Sequence, residues 1–207
     1  RASLALPSVR SAIARGRPLI AGFDSRSETR PLGGHGLGLS GSGGVPSGRP
    51  QAGEFADYAA DDIARVAGDD AVAALAAQGR DVVDMFAVLT DADVAGRRYA
   101  PGKWTVKEVL GHLIDDERIF CYRLLRVARG DGTPLPGFDE KLFAVNGEAE
   151  HRPLRDLVAE YVAVREATLA LLRALSPAAW TRRGVVNDYE ASARGLAFHI
   201  AGHELRH

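Results

Sequence analysis

Apolar residues between positions 54 and 207 recur every three or four residues in four separate stretches. The stretches begin after Asp70, at Thr105, near Pro153 and near Ser192. This period matches the 3.6 residues of an α-helical turn and places the apolar side chains on one face of each helix. The pattern therefore predicts four amphipathic helices, and four helices of this length are typical of an all-α four-helix bundle.

Local signals support the ends of these helices. Thr105 followed by Glu108 is a capping-box pattern at the start of the second helix, and Gly130 is a stop signal at its end. Pro177 ends the third helix. Two connections, residues 131–152 and residues 181–190, remain as loops, and we expect them to border the mouth of any site, where specificity usually resides.

Residues 1–53 differ from the rest of the chain. They contain 11 of the 23 glycines and five of the 10 prolines, with no apolar periodicity. A segment of this composition cannot bury enough apolar surface to offset its conformational entropy. The sequence therefore predicts two parts, a disordered Gly/Pro/Arg-rich extension over residues 1–53 and a helical domain over residues 54–207.

Composition and charge exclude several classes of function. Hydrophobic residues make up 46% of the chain and aromatic residues 7%, a balance that favours helices over strands. The net charge is −1, and the predicted domain has 19 basic against 25 acidic residues, which argues against nucleic-acid binding. No apolar run is long enough for a membrane span. Cys121 is the only cysteine, so an internal disulfide is excluded and a reducing, cytoplasmic location is the expectation.

The candidate chemistry is a row of histidines in the fourth helix. His199, His203 and His207 are spaced four residues apart, so they share one stripe of the helix. Imidazoles at positions i and i+4 can bind one metal ion together. His112, beside Asp116 in the second helix, could add a third nitrogen from a facing helix. The spacing leaves open whether the pair 199/203 or the pair 203/207 would bind the ion.

The same residues allow another interpretation. The segment from His203 to His207 matches the H-E-x-x-H pattern of zinc metallopeptidases, in which Glu204 would be the general base. Such peptidases take a third ligand from downstream of the motif, and no such ligand follows His207. A bundle that binds metal for stability or stress sensing, without catalysis, is a further alternative.

Several segments together resemble the DinB-like family, also called the DinB/YfiT-like metalloenzymes. Residues 104–118 resemble the motif of that family's second helix, and residues 201–207 resemble the motif of its last helix. Residues 131–138 and 152–157 also look like one of its branches. The resemblance covers roughly residues 54–207.

The resemblance implies a four-helix bundle with a divalent metal ion bound by His112, His203 and His207. His199 falls where the family often has an apolar residue, which implies a core histidine or one that supports the ligands. Asp116 and Glu204 are candidates to orient imidazole N–H groups or to carry protons. The last helix of the family normally continues beyond the second ligand, so we expect the domain to be truncated at its C-terminus.

The imidazole set suits Zn²⁺ first, and also Ni²⁺, Fe²⁺ or Mn²⁺. Some members of the family are thought to be thiol-dependent transferases, and others look like metal-dependent hydrolases. The resemblance therefore implies a small-molecule substrate, a low-molecular-weight thiol as one candidate partner, and a homodimer as a candidate assembly.

Overall fold

The computed structural model describes residues 47–207. In chain order the helices are α1 (Ala60–Arg65), α2 (Ala71–Ala87), α3 (Asp91–Val94), α4 (Val106–Ala128), α5 (Glu140–Asn146), α6 (Leu154–Arg173), α7 (Pro177–Trp180) and α8 (Ala193–Arg206). Single 3-10 turns cover Asp57–Ala59 and Ala149–His151, and strands β1 (Arg183–Val186) and β2 (Tyr189–Ser192) form an antiparallel hairpin. The predicted four-helix bundle is confirmed, because the four longest helices, α2, α4, α6 and α8, coincide with the four apolar stretches.

Side-chain caps begin three of these helices, α2, α4 and α8, where the sequence predicted the helix starts. The Asp70 carboxylate accepts hydrogen bonds from the first turn of α2. Thr105 and Glu108 form the expected reciprocal capping box at the start of α4. The Ser192 hydroxyl accepts a hydrogen bond of 3.0 Å from the Gly195 amide at the start of α8. Each cap satisfies amide groups that would otherwise lack a partner at a helix end.

The α8 helix is buried over most of its length. It packs against α1, α2 and α4, and Ala193, Ala197, Phe198 and Ala201 are fully buried. At Gly202 the backbone of α1 comes so close that a Cβ atom would lie 2.1 Å from the carbonyl oxygen of Asp62. The absence of a side chain at Gly202 is therefore what lets α1 cross α8 next to His203.

The β-hairpin lies where we expected a loop. Its turn residues, Asn187 and Asp188, have φ angles of 50° and 66°, the positive values that the tightest hairpin turns require. The Leu135 amide donates to the Val185 carbonyl, and the Asn187 amide donates to the Leu135 carbonyl. The two connections that we expected at the site mouth are therefore bonded to each other. The signal in the sequence was the Asn187-Asp188 pair, since these residue types favour the positive φ angles of a tight turn.

The helices α1 and α5 were also absent from the sequence-based prediction. They have six and seven residues, and fewer than two helical turns are too short for an apolar repeat to be recognised. Tertiary contacts stabilise them instead, since α1 packs on α8 and α5 packs on α4.

The first described residues are bonded to the bundle. Ser47 donates to the Asp69 carbonyl and accepts from the Ala71 amide. The Arg49 guanidinium donates to the carbonyls of Ile63 and Val66 at the end of α1. Ordered contacts therefore begin before the predicted boundary at residue 53, and the disorder predicted for residues 1–46 lies outside the described residues. Over residues 47–207, no helix has the length and apolarity needed to cross a membrane.

Candidate metal centre

Three histidine side chains meet between α4 and α8. His112 projects from the second turn of α4, and its Nε2 lies 3.2 Å from Nε2 of His203. His207 lies one helical turn after His203, directly after the last residue of α8. One ring nitrogen from each of the three residues lies within 4.8 Å of the others. Of the two histidine pairs that the spacing left open, the fold brings the pair 203/207 next to His112.

Asp116 fixes the orientation of the central ring. Its Oδ2 lies 3.2 Å from Nδ1 of His203, and both side chains are almost fully buried. An Nδ1–H that donates to this carboxylate leaves the lone pair of the ring on Nε2, the nitrogen that faces His112. Carboxylates commonly orient metal-binding histidines in this way.

The nitrogen atoms fit a single divalent ion. Nε2 of His207 is buried and has no hydrogen-bond partner among the described residues. Two nitrogens bound to one Zn²⁺ at about 2.0–2.1 Å and at a tetrahedral angle are roughly 3.3 Å apart. The 3.2 Å between His112 and His203 is close to that separation. Three imidazoles also leave room for a further ligand, as catalytic sites do.

Burial keeps these imidazoles neutral. Removal from water, which disfavours the charged ring, lowers the pKa of His112 to about 4 and that of His203 to about 3, from an ordinary value of 6.5. The pKa of His207 is lowered further by burial and by the neighbouring rings of His203 and His112. Neutral imidazole is the form that binds metal, so all three residues are available as ligands at pH 7.

His199 lies outside this group. Its ring packs against Phe120 with centroids 4.1 Å apart, and its Nδ1 is buried without a hydrogen-bond partner among the described residues. The His199 and His203 rings are stacked with centroids 5.7 Å apart. His199 therefore contacts the group from the side without adding a nitrogen to it.

Glu204 belongs to a buried ionic network that links α8 to α4 and α6. Its Oε2 accepts hydrogen bonds from the Tyr161 hydroxyl at 2.7 Å and from Arg165 at 2.6 Å. Arg165 also binds both carboxylate oxygens of Glu117, at 3.0 Å and 3.1 Å from its Nε. The sequence did not reveal this network, because its members are spread over α4, α6 and α8.

An apolar pocket adjoins His207. Side chains of α2 and α4 line it, among them Val82, Phe86 and Leu113, together with Glu204. The space measures about 660 Å³, part of it open to solvent. Trp104 lies one residue before the cap of α4. Its ring centre is 4.8 Å from that of His112, with the planes tilted by 47°, and 6.5 Å from that of His207, with the rings stacked. Sequence reasoning assigned no role to Trp104.

Comparisons with known proteins agree with this fold. The YfiT protein of Bacillus subtilis, described as a probable metal-dependent hydrolase with an unusual four-helix bundle topology, aligns with a TM-score of 0.60 and 19% identity. The alignment covers 66% of this chain and 78% of YfiT. At that identity the likeness shows a shared fold. No curated protein matches the sequence.

The family assignment rests on the sequence itself. The sequence model of the DinB superfamily matches residues 74–207, which is more than half of the 207 residues. The match includes both helices that supply the histidine group. The chain therefore belongs to the DinB superfamily.

Proposed function

We propose that this protein is a metal-dependent enzyme of the transferase or hydrolase type, in which His112, His203 and His207 bind one divalent ion. The observation that supports the proposal is the convergence of three neutral, buried imidazole nitrogens within 4.8 Å. An ion bound by three neutral imidazoles would keep its full +2 charge and lower the pKa of a water molecule or a thiol. Zn²⁺ is the first choice, with Ni²⁺, Fe²⁺ and Mn²⁺ as alternatives.

The surrounding residues suit a small-molecule reaction. Asp116 holds the His203 ring in one orientation, and Trp104 covers the rings of His112 and His207. The apolar pocket beside His207 would exclude water from the reacting groups and accept an uncharged part of a substrate. A low-molecular-weight thiol and an electrophile are the substrates we propose for a transferase, and an ester or amide for a hydrolase.

A metallopeptidase is disfavoured by the position of Glu204. That function needs a carboxylate free to act as a base at the ion. The Glu204 carboxylate instead accepts hydrogen bonds from Tyr161 and Arg165.

Metal content provides the first test. Protein purified without chelator should contain about one equivalent of divalent metal by elemental analysis, and His112→Ala or His203→Ala should remove it. His151, an exposed histidine, provides the matched control, and His151→Ala should bind metal as the wild type does. Loss of metal with His199→Ala, together with its retention in His203→Ala, would contradict the proposed ligand set.

Activity provides the second test. Metal-loaded protein should conjugate a thiol to an aryl halide, or hydrolyse a nitrophenyl ester, at a rate that falls by at least a hundredfold after metal removal. Cleavage of a peptide substrate would instead support the peptidase. A metal-loaded protein that is inactive in all three assays would support the non-catalytic metal-binding bundle.

A further inference from the structure

A second pocket lies beside His203 and shares no lining residue with the pocket beside His207. Asp116, His199 and His203 line it together with Arg123 and Phe138, and the space measures about 770 Å³, part of it open to solvent. The histidine group therefore borders two pockets of different character. The pocket beside His207 is apolar, whereas this one, which we name the Arg123 pocket, contains charged and polar side chains.

Arg123 is a buried cation that forms no salt bridge with the described residues. The residue is only 3% exposed, and its guanidinium donates one hydrogen bond of 2.6 Å to the Pro136 carbonyl. Its carbon atom Cζ lies 4.8 Å from the ring centre of Phe120 and 5.5 Å from that of Phe138. Among residues 47–207 it forms no salt bridge within 4.0 Å. Burial lowers its pKa because desolvation disfavours the charged form, and the nearby Tyr58 and Asp116 offset this effect only in part.

Arg165, a buried arginine with a structural role, provides the comparison. It has the same exposure of 3%, yet it is paired with the carboxylates of Glu117 and Glu204. Buried charges are normally paired, since an isolated one is costly to remove from water. The unpaired guanidinium of Arg123 in an open pocket therefore suggests that its partner arrives from solution.

His199 supplies an independent observation in the same pocket. Its buried Nδ1 lacks a hydrogen-bond partner among the described residues. A neutral imidazole can carry its hydrogen on Nδ1 and donate it to an anion. Ring contacts connect the two groups, because Phe120 packs on His199 at 4.1 Å and on the Arg123 guanidinium at 4.8 Å. The His199 ring centre lies 5.7 Å from that of His203, so the side chains of Arg123, Phe120, His199 and His203 form one row.

We propose that the Arg123 pocket binds the carboxylate of an elongated substrate whose other end reaches the histidine group. The planar guanidinium would hold the carboxylate by paired N–H donors, and the aromatic rings would contact the apolar chain between the two ends. Asp116 stays with His203 at the reacting end of this row. The proposal adds a substrate class to the proposed function and rests on it for the identity of the reacting end.

Binding to metal-free protein tests the carboxylate subsite independently of catalysis. The probes are hexanoate and its uncharged analogue hexanamide, titrated by NMR into protein stripped of metal and dialysed free of chelator. Hydrogen bonds to charged groups are the stronger kind, so the wild type should bind hexanoate about tenfold more tightly than hexanamide. Arg123→Gln should bind both probes equally.

Arg118→Gln is the matched control, because Arg118 lies on the same helix but is half-exposed and pairs with Glu160. This variant should keep the tenfold preference for hexanoate. Equal binding of both probes by the wild type would overturn the proposal. Retention of the preference in Arg123→Gln, with a lowered melting temperature, would overturn it too and assign Arg123 a structural role. Tighter binding of inorganic phosphate than of hexanoate would overturn the assignment to a carboxylate.

A lysine variant covers the case in which Arg123→Gln cannot be measured. If Arg123→Gln does not fold, Arg123→Lys replaces it, and it should bind hexanoate several-fold more weakly than the wild type because the planar fork is lost. Unchanged affinity in that variant would contradict the proposal.

The carboxylate subsite and the proposed function can fail separately, because the preference for hexanoate is measured without metal. If the wild type binds no metal but still prefers hexanoate, the proposed function is rejected and the carboxylate subsite is supported.

Discussion

The Asp116 carboxylate lies 3.2 Å from Nδ1 of His203, while Nε2 of the same ring faces Nε2 of His112 at 3.2 Å. One side chain on α4 thus orients a histidine on α8 toward a second histidine on α4. The relationship spans one helical turn, from residue 112 to residue 116, and it places the hydrogen of the ring on the side away from the candidate ion.

Removal of this carboxylate should weaken metal binding. We expect Asp116→Ala to lower the affinity for Zn²⁺ by roughly 10- to 100-fold, because His203 would lose the partner that fixes its orientation. Competition with a chromophoric chelator measures the change. Asp115→Ala is the control, since Asp115 pairs with the exposed Arg118 and should leave affinity unchanged. Equal affinity in Asp116→Ala and wild type would show that Asp116 does not support the ligand.

The buried His199 should make the metal-free protein sensitive to acid. Burial lowers its pKa in the folded state to about 4, below the ordinary 6.5. Between these values the unfolded chain takes up a proton that the folded protein refuses, so stability is full above pH 6.5 and falls as the pH falls toward 4. The slope for one such group is at most about 1.4 kcal/mol per pH unit.

Urea denaturation of metal-free protein at pH 7 and pH 5 measures this effect. The loss of stability between the two pH values should be smaller in His199→Gln than in the wild type. His151→Gln, at an exposed position, should lose as much stability as the wild type. Identical losses in all three proteins would contradict the lowered pKa.

The ionic network around Arg165 should be essential to stability. Arg165→Met would leave the carboxylates of Glu117 and Glu204 buried without their cation. Breaking a buried pair from one side costs about 3–5 kcal/mol, which urea denaturation at pH 7 would detect. Arg155 is 87% exposed, and its partner among the described residues is the exposed Asp156, so Arg155→Met should change stability by less than about 0.5 kcal/mol. A similar effect of both substitutions would argue against a structural network.

The crossing of α1 and α8 should not tolerate a methyl group at Gly202. Alanine alone would favour a helix by about 1 kcal/mol. The new Cβ, however, would lie 2.1 Å from the Asp62 carbonyl oxygen, and the backbone must move to relieve the overlap. We expect Gly202→Ala to lower the melting temperature and to weaken metal binding, because His203 is the next residue.

Gly132 provides the control for that substitution. A Cβ at Gly132 would meet no atom of residues 47–207 within 4 Å, so Gly132→Ala should leave both the melting temperature and metal affinity near wild-type values. An increase in melting temperature for Gly202→Ala would show that helix propensity outweighs the close approach.

The four long helices could be predicted from the sequence because the signals that define each helix lie within its own segment. Periodicity defines the buried face, and caps such as Asp70, Thr105 and Ser192 act within three residues of their partners. The short helix α1 and the β-hairpin lack such signals within their own segments. Their stability comes from contacts with α8 and with Leu135, which no local pattern encodes.

The histidine group was predictable in part. Spacing along α8 placed His199, His203 and His207 on one face, and the family resemblance favoured the last two together with His112. The sequence by itself thus determined the helices, their buried faces and the residue types available for chemistry. Only the tertiary structure decided that His207 rather than His199 lies beside His112, that Glu204 pairs with Arg165, and that Arg123 is buried with no salt bridge to residues 47–207. The reason is physical, because periodicity fixes angles within one helix, whereas packing between helices sets the distances between side chains on different ones.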